Sequence, residues 1–175
     1  MNEETRSALR SDADRFRQGL GNSIWRIGIV ALNNPGLLCV LLYRFQEAAV
    51  KKARWRQARF LRTVNHFLTG ADLLPGSKIG GGLIIQHPNG IVIGAGATIG
   101  EHATVLQQVT VGEKLSSNHS EHAYPRIGDR CVLGAGAKIL GGISIGDDVR
   151  IGANAVVLHD LPNSVSAVGI PARVA

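Results

Sequence analysis

Aromatic side chains are scarce in this chain of 175 residues: Phe, Tyr and Trp together make up 5% of it. That excludes an ordinary core built around large rings. Cysteine is nearly absent, with only Cys39 and Cys131, in unrelated contexts. They exclude a disulfide framework and read as small buried hydrophobes. No Cys-x-x-Cys or Cys/His ligand spacing occurs, so no metal is expected. Long apolar runs are missing too. The longest spans residues 37–42, far too short to cross a bilayer. The N-terminus is polar and mixed in charge, without a leader pattern, which points to a soluble cytoplasmic protein.

Glycine is abundant, at 22 residues, while 45% hydrophobic and 18% charged residues exclude a disordered chain. From Ile93 aliphatic residues recur every six positions: Ile93, Ile99, Val105, Val111, then Ile127, Leu133, Ile139, Ile145, Ile151, Val157. Four residues after these anchors stand Ala97, Ala103, Val109, Cys131, Ala137, Ile143, Val149 and Ala155. Neither a helix nor a simple strand sustains a period of six. A parallel β-helix does, with one short strand and a turn per repeat and three repeats per coil. The residue after each anchor runs Gly94, Gly100, Leu106; Gly128, Gly134, Leu140; Gly146, Gly152, Leu158. This Gly-Gly-Leu order suggests one prism side unlike the other two, with glycine turning the corners through angles that other residues disfavour. The expected fold is mainly β, a left-handed parallel β-helix over residues 70–175 behind a helical region of residues 1–69. Two steps break the repeat. Ile85 to Ile93 is eight residues, around His87-Pro88-Asn89-Gly90. Val111 to Ile127 is sixteen, so an excursion loop leaves the prism at about residues 113–126.

The charge is +6 overall but uneven. Residues 1–69 hold 12 basic and 5 acidic side chains, and residues 70–175 hold 7 and 8. The excess lies in Lys51, Lys52, Arg54, Arg56, Arg59 and Arg62. It reads as a solvated helix face, or as peripheral contact with an acidic partner or membrane surface. No nucleic-acid reading motif accompanies it, so none is expected as a partner. The helical region reads as helices over residues 3–20, 23–33, 36–52 and 54–68, with Ser23 as a cap and Asn34-Pro35 as a break. Apolar faces with Leu38, Leu41, Leu42 and Phe45, and with Phe60, Val64 and Phe67, are expected to cover the first coil. Pro162 and Pro171 should end the solenoid.

His87 interrupts an aliphatic segment at a disturbed turn. Asp72 lies 15 residues upstream, close to the 18 that would put it one coil below. An acid beside imidazole fixes its tautomer and steadies the imidazolium, which suits a base that activates a hydroxyl. No GxSxG or other covalent-nucleophile signature is present, so direct transfer between two bound substrates is the simpler chemistry.

The segments Asp72-Leu-Leu-Pro-Gly-Ser-Lys-Ile-Gly-Gly-Gly-Leu-Ile-Ile-Gln-His87, Gly90-Ile-Val-Ile-Gly94, Gln108-Val-Thr-Val-Gly112, Gly-Ala-Gly-Ala-Lys-Ile-Leu-Gly141 and Gly169-Ile-Pro-Ala-Arg173 resemble the serine O-acetyltransferases of the hexapeptide-repeat acyltransferase superfamily. The resemblance covers about 100 residues. It implies acetyl-CoA as co-substrate, a hydroxyl-bearing small molecule as acceptor, His87 as general base and Asp72 as its acid. It implies backbone N–H groups near Gly112 and Ala135 for the pantetheine arm and oxyanion, and Arg150 near the CoA phosphates. It also implies a homotrimer with sites between prisms, with pairing of trimers open.

Two positions depart from that family. Gln86 stands where the serine enzymes carry the Asp that binds the serine amino group. Ala123-Tyr124 stands where they carry Arg-His, the Arg meeting the serine carboxylate. The loop is about two residues longer, and Glu113 replaces a Gly. Acceptor contacts are therefore expected from Gln86, Tyr124 and His122, with His119 and Arg126 as further candidates. Serine is the nearest named acceptor. A sugar hydroxyl in surface polysaccharide assembly is the alternative, and a non-enzymatic trimeric scaffold the third reading.

Overall fold

The six-residue anchors all turn inward onto one core. The computed structural model describes residues 3–16, 24–114 and 123–175. In it β1 (Asp72–Leu73), β2 (Lys78–Ile79) and β3 (Ile84–Ile85) form the first coil, and β4 (Val92–Ile93), β5 (Thr98–Ile99) and β6 (Thr104–Val105) the second. The third holds β7 (Thr110–Gly112), β8 (Arg126–Ile127) and β9 (Val132–Leu133). The fourth holds β10 (Lys138–Leu140), β11 (Ser144–Ile145) and β12 (Arg150–Ile151), and β13 (Val156–Val157) and β14 (Ser166–Val168) begin a fifth. Every third strand pairs in parallel, giving faces β1-β4-β7-β10-β13, β2-β5-β8-β11 and β3-β6-β9-β12-β14. This is the left-handed parallel β-helix that the period of six requires. After Pro171 the chain folds back, and β15 (Arg173–Val174) runs antiparallel to β14.

No anchor is more than 4% exposed. The positions four residues later are fully buried, Ile143 excepted, and their small size lets the corners close. Each buried Ile, Leu or Val contributes roughly 1.5–3 kcal/mol of apolar transfer free energy.

Glycine has a different task from the one expected. The left-handed backbone falls three residues after the anchor, at His102, Gln108, Arg130, Asp148 and Asn154 with φ between 56° and 60°, and at Gly82 and Gly136. The glycines directly after the anchors are needed for close stacking. A Cβ on Gly100 would lie 2.7 Å from the Gly128 carbonyl carbon, and one on Gly128 would lie 2.8 Å from that of Gly146. The acids that follow make a ladder along the same edge. The Glu101 N–H donates to Asp129 Oδ1 (2.7 Å), and the Asp129 N–H to Asp147 Oδ1 (2.8 Å). The Gly-Gly-Leu order also does not mark one side. Leu106 follows β6 on the third face, whereas Leu140 and Leu158 belong to the first. Only the second face carries glycine after the anchor in every coil.

The helical region comprises α1 (Glu3–Phe16), α2 (Ile24–Ala31), α3 (Pro35–Lys51) and α4 (Trp55–Thr69). Ser23 lies outside the described residues. Asn34-Pro35 starts a helix as well as ending one: Asn34 Oδ1 accepts the Leu37 N–H (3.1 Å), and Pro35 takes the first turn, where its missing N–H costs nothing. Gly36 lets α3 lie directly on β3, since a Cβ there would collide with the Ile85 carbonyl.

The first coil is capped by polar groups more than by the expected apolar faces. Alternate peptide groups of its strands pair with the second coil, so the carbonyls of Leu73 and Ile79 face the helices without a coil partner. Donors on α3 take them. Gln46 Nε2 donates to Leu73 O (2.9 Å), the Tyr43 hydroxyl to Ser77 O (3.0 Å), and Arg44 to Ile79 O (2.7 Å) and Gly80 O (2.6 Å). Asp12 of α1 balances the fully buried Arg44 (Nε–Oδ2 2.7 Å) and accepts the Leu83 N–H (2.7 Å). Phe60 and Phe67, expected over the coil, point outward at 67% and 84% exposure. The packed side of α4 carries Ala58, Asn65 and Thr69 instead.

Candidate active site

In a regular corner, the N–H of the third residue after an anchor donates to the carbonyl of the second residue one coil below, as Arg130 does to Glu101 (2.7 Å). At the corner between β3 and β4, Gln86 keeps its place, its N–H donating to Val105 O (3.3 Å). Asn89 fills the second place, its carbonyl accepting the Gln108 N–H (3.0 Å), and Gly90 (φ 72°) takes the left-handed one. The two extra residues are therefore His87 and Pro88. Pro88 is buried and fixes the bulge, while Gln86 and His87 are exposed beside it. The eight-residue step in the sequence is thus a local protrusion with an imidazole at its edge.

Asp72 opens β1, with its N–H on Ile91 O (2.7 Å). Its register partner in the second coil is Val92, a step of 20, because the bulge lengthens this coil. The 15-residue spacing therefore does not stack His87 over Asp72. The carboxylate is held by Arg62 of α4, with Nε on Oδ1 (2.5 Å) and Nη2 on Oδ2 (2.6 Å). The guanidinium hydrogen bond keeps the Asp72 carboxyl below the usual carboxylate range, against a smaller opposing effect of partial burial. Among the described residues no hydrogen bond joins Asp72 to His87. Arg62 is the site neighbour that sequence reasoning passed over, since a basic run carries no sign of which member turns inward. Lys51 of the same run is also paired, with Glu4 (3.1 Å) and Glu47 (3.3 Å).

Tyr124 lies at the other end of β4 from the bulge, its ring flat across the Gly94–Gly96 corner. A Cβ on Gly96 would come 2.8 Å from its Cγ. It borders a small cavity of about 180 Å³ with Arg126, Gly142, Ile143 and Ser144. One chain therefore does not bring Tyr124 to His87. His122 and His119 lie outside the described residues. Ala135 follows β9 at the corner above the bulge, and its carbonyl accepts the Asn154 N–H (2.8 Å). Gly112 ends β7 where the excursion leaves, with its carbonyl on the Gly141 N–H (3.0 Å). Arg150 is exposed on the third face. Lys138 adds an unforeseen cation at the bulge corner, its Nζ on Gln108 O (2.6 Å) and Gly136 O (2.9 Å). Among the described residues no helix is long and apolar enough to cross a membrane.

Known proteins share this fold. Residues 124–159 match the family model described as bacterial transferase hexapeptide (six repeats). A serine acetyltransferase of Helicobacter pylori strain J99 is 46% identical over 144 residues, 82% of this chain and 83% of that one. The structure titled soybean serine acetyltransferase complexed with serine superposes with a TM-score of 0.87 at 32% identity, covering 99% of this chain and 70% of that one. A serine acetyltransferase in complex with CoA gives 0.84 at 30% identity, covering 99% and 71%. With identity of this order across most of both chains, the protein belongs to the serine acetyltransferase family and is an acyltransferase.

Proposed function

We propose that this chain moves the acetyl group of acetyl-CoA to a hydroxyl, with serine the nearest named acceptor and His87 the general base. The observation that carries the reading is the His87-Pro88 bulge: an exposed imidazole on a protrusion anchored by the buried Pro88, in a chain 46% identical to a serine acetyltransferase. The imidazole takes the hydroxyl proton as the oxygen attacks the thioester carbonyl. The tetrahedral oxyanion collapses, the C–S bond breaks, and the imidazolium returns the proton to the departing CoA sulfur. Asp72 supplies the negative charge that steadies the imidazolium. Backbone N–H groups around Gly112 and Ala135 are assigned to the oxyanion and pantetheine, and Arg150 to the CoA phosphates. The co-substrate and acceptor assignments are supported by relatives solved with CoA and with serine.

The helical region, residues 1–69, serves as the cap of the catalytic prism, residues 70–175. A homotrimer fits the separation of His87 and Tyr124 within one chain, because a neighbouring prism can bring a second Tyr124 to the bulge.

A sugar hydroxyl is the second reading. It is favoured by the exposed neutral amide of Gln86 beside His87, and by Ala123-Tyr124 in the place of an Arg-His pair. An uncompensated amino-acid zwitterion would lose several hydrogen-bonded charge contacts, each worth roughly 1.5–3 kcal/mol. CoA release from acetyl-CoA, followed with L-serine and with a panel of hexoses and N-acetylhexosamines, decides between them. Serine-dependent release supports the first reading, and sugar-dependent release alone replaces it with the second. Release with no acceptor overturns the transfer assignment.

A further inference from the structure

We propose that the outer face of α4 is a docking surface for an anionic lipid membrane: Phe60 and Phe67 enter the interface, and Lys52, Arg54, Arg56 and Arg59 meet the headgroups. The inference stands whether the acceptor is serine or a sugar.

The face follows from the helix period. Arg56, Phe60, Thr63 and Phe67 are spaced by four, three and four residues, so they share one side of α4. Ala58, Asn65 and Thr69 occupy the opposite side and pack inward. Phe60 and Phe67 are two large rings in a chain poor in aromatics, and both lie mostly in water. A single exposed apolar side chain is ordinary on a protein surface. Here Trp55 at the start of the helix and Leu68 near its end are exposed as well.

The charge on the helix names the partner. Residues 51–69 hold six Lys or Arg and no Asp or Glu. Lys51 is used within the chain by Glu4 and Glu47, and Arg62 by Asp72. Lys52, Arg54, Arg56 and Arg59 are exposed, and among the described residues they have no ion pair. Apolar rings flanked by free cations are the composition of a helix that lies in a membrane interface. There the rings leave water, while the long basic stems keep their charges at the lipid phosphates. A second copy laid face to face would set the same four cations against one another. A lipid layer answers the charge and takes the rings without needing a matching shape.

The docked helix is tied to the prism. Asn65 Nδ2 donates to Cys39 O on α3 (3.0 Å), and Thr69 Oγ1 accepts the Ala71 N–H (3.3 Å). Gly70 O accepts the Gly90 N–H of the bulge (3.0 Å). A membrane that holds α4 therefore also orients the β3–β4 corner that carries His87.

The test is co-sedimentation of the full-length protein with vesicles of equal parts phosphatidylglycerol and phosphatidylcholine, against vesicles of phosphatidylcholine alone. The parent protein should bind the mixed vesicles, come off as salt is raised, and leave the neutral vesicles largely unbound. Arg56→Gln/Arg59→Gln should weaken binding by about 25-fold, roughly five-fold for each cation lost. Phe60→Ser/Phe67→Ser should weaken it by at least about ten-fold and keep the salt dependence. All four side chains are exposed, so both variants should keep the thermal midpoint and the oligomeric state of the parent. No binding to the mixed vesicles at low salt overturns the proposal. Undiminished binding in Phe60→Ser/Phe67→Ser also overturns it, because that marks a surface attracting any polyanion or acidic protein. A changed oligomeric state in the same variant overturns it too, because the face would then be covered by a second copy.

Discussion

Arg62 and Asp72 join the last helix of the cap to the first strand of the prism through two parallel hydrogen bonds, at 2.5 and 2.6 Å. The acid proposed to steady the transfer base is thus held by the region outside the β-helix. The pairing has a consequence for stability as well as for the site. The Asp72 carboxyl is depressed below its ordinary value of 3.8. Its contribution is therefore present above that value and is lost as pH falls through the lower value of the folded state. Both side chains are partly open to solvent, at 40% for Arg62 and 22% for Asp72, so the contribution is below about 1 kcal/mol. Asp72→Asn should cost that much in urea unfolding at pH 7, and the cost should shrink as pH falls below 3.8 and through the lower value of the folded state. A penalty that does not change with pH would contradict the pairing.

Arg44 and Asp12 give a larger effect. Both side chains are fully buried, and Arg44 also supplies donors to Ile79 O and Gly80 O. Burial pushes the Asp12 carboxyl up, while Arg44 and the Leu83 N–H pull it back. Asp12→Ala leaves a buried guanidinium without its counter-charge and should cost about 3–5 kcal/mol in chemical denaturation. The double variant Asp12→Leu/Arg44→Met removes both charges yet strands the two carbonyls, so it should remain less stable than the parent. Full recovery in the double variant would remove the capping role.

Two glycines predict opposite signs. At Gly128 a Cβ meets the backbone of the next coil at 2.8–2.9 Å, and backbone cannot step aside. Gly128→Ala should cost more than about 2 kcal/mol, or prevent folding. At Gly28, inside α2, a Cβ meets nothing within 4 Å. Gly28→Ala should stabilise by about 0.5–1 kcal/mol, because alanine is the better helix former. Thermal unfolding of the two variants reads both. The same sign in both would mean that the coil spacing at Gly128 is looser than described.

How much of this was legible beforehand follows from the kind of signal each feature leaves. The β-helix was legible because Ile93, Ile99 and their successors repeat, and repetition is a pattern within the chain itself. The bulge was legible as an eight-residue step, although not which two residues are extra, because that depends on Gln86 and Asn89 keeping their cross-coil hydrogen bonds. The reason for glycine after the anchors was misread. A sequence shows the residue but not the 2.7 Å approach of the coil above it. The cap was expected to be apolar, since Leu and Phe at helical spacing suggest burial. The deciding fact is that alternate carbonyls of the first coil face the helices, which only the strand register reveals and which Tyr43, Arg44 and Gln46 satisfy. Arg62 was hidden for the same reason, its partner lying on another element.

Cys39 offers a check on the packing between cap and prism. Burial pushes its thiol up to about 12, with Thr69 and Asn65 opposing. A thiolate is the reactive form, so Cys39 should resist thiol reagents at pH 8 until the protein unfolds. Its modification at the rate of a free thiol under native conditions would mean that α3 and α4 part readily from the first coil.

Acetyl transfer through His87 is tested most directly by CoA release from acetyl-CoA, measured for the parent protein and for His87→Ala with the acceptor that the parent protein uses. The variant should keep the oligomeric state and thermal midpoint of the parent while kcat falls by about 10²–10⁴-fold, the usual worth of a general base. Turnover within a few-fold of the parent in a folded His87→Ala protein would contradict the assignment.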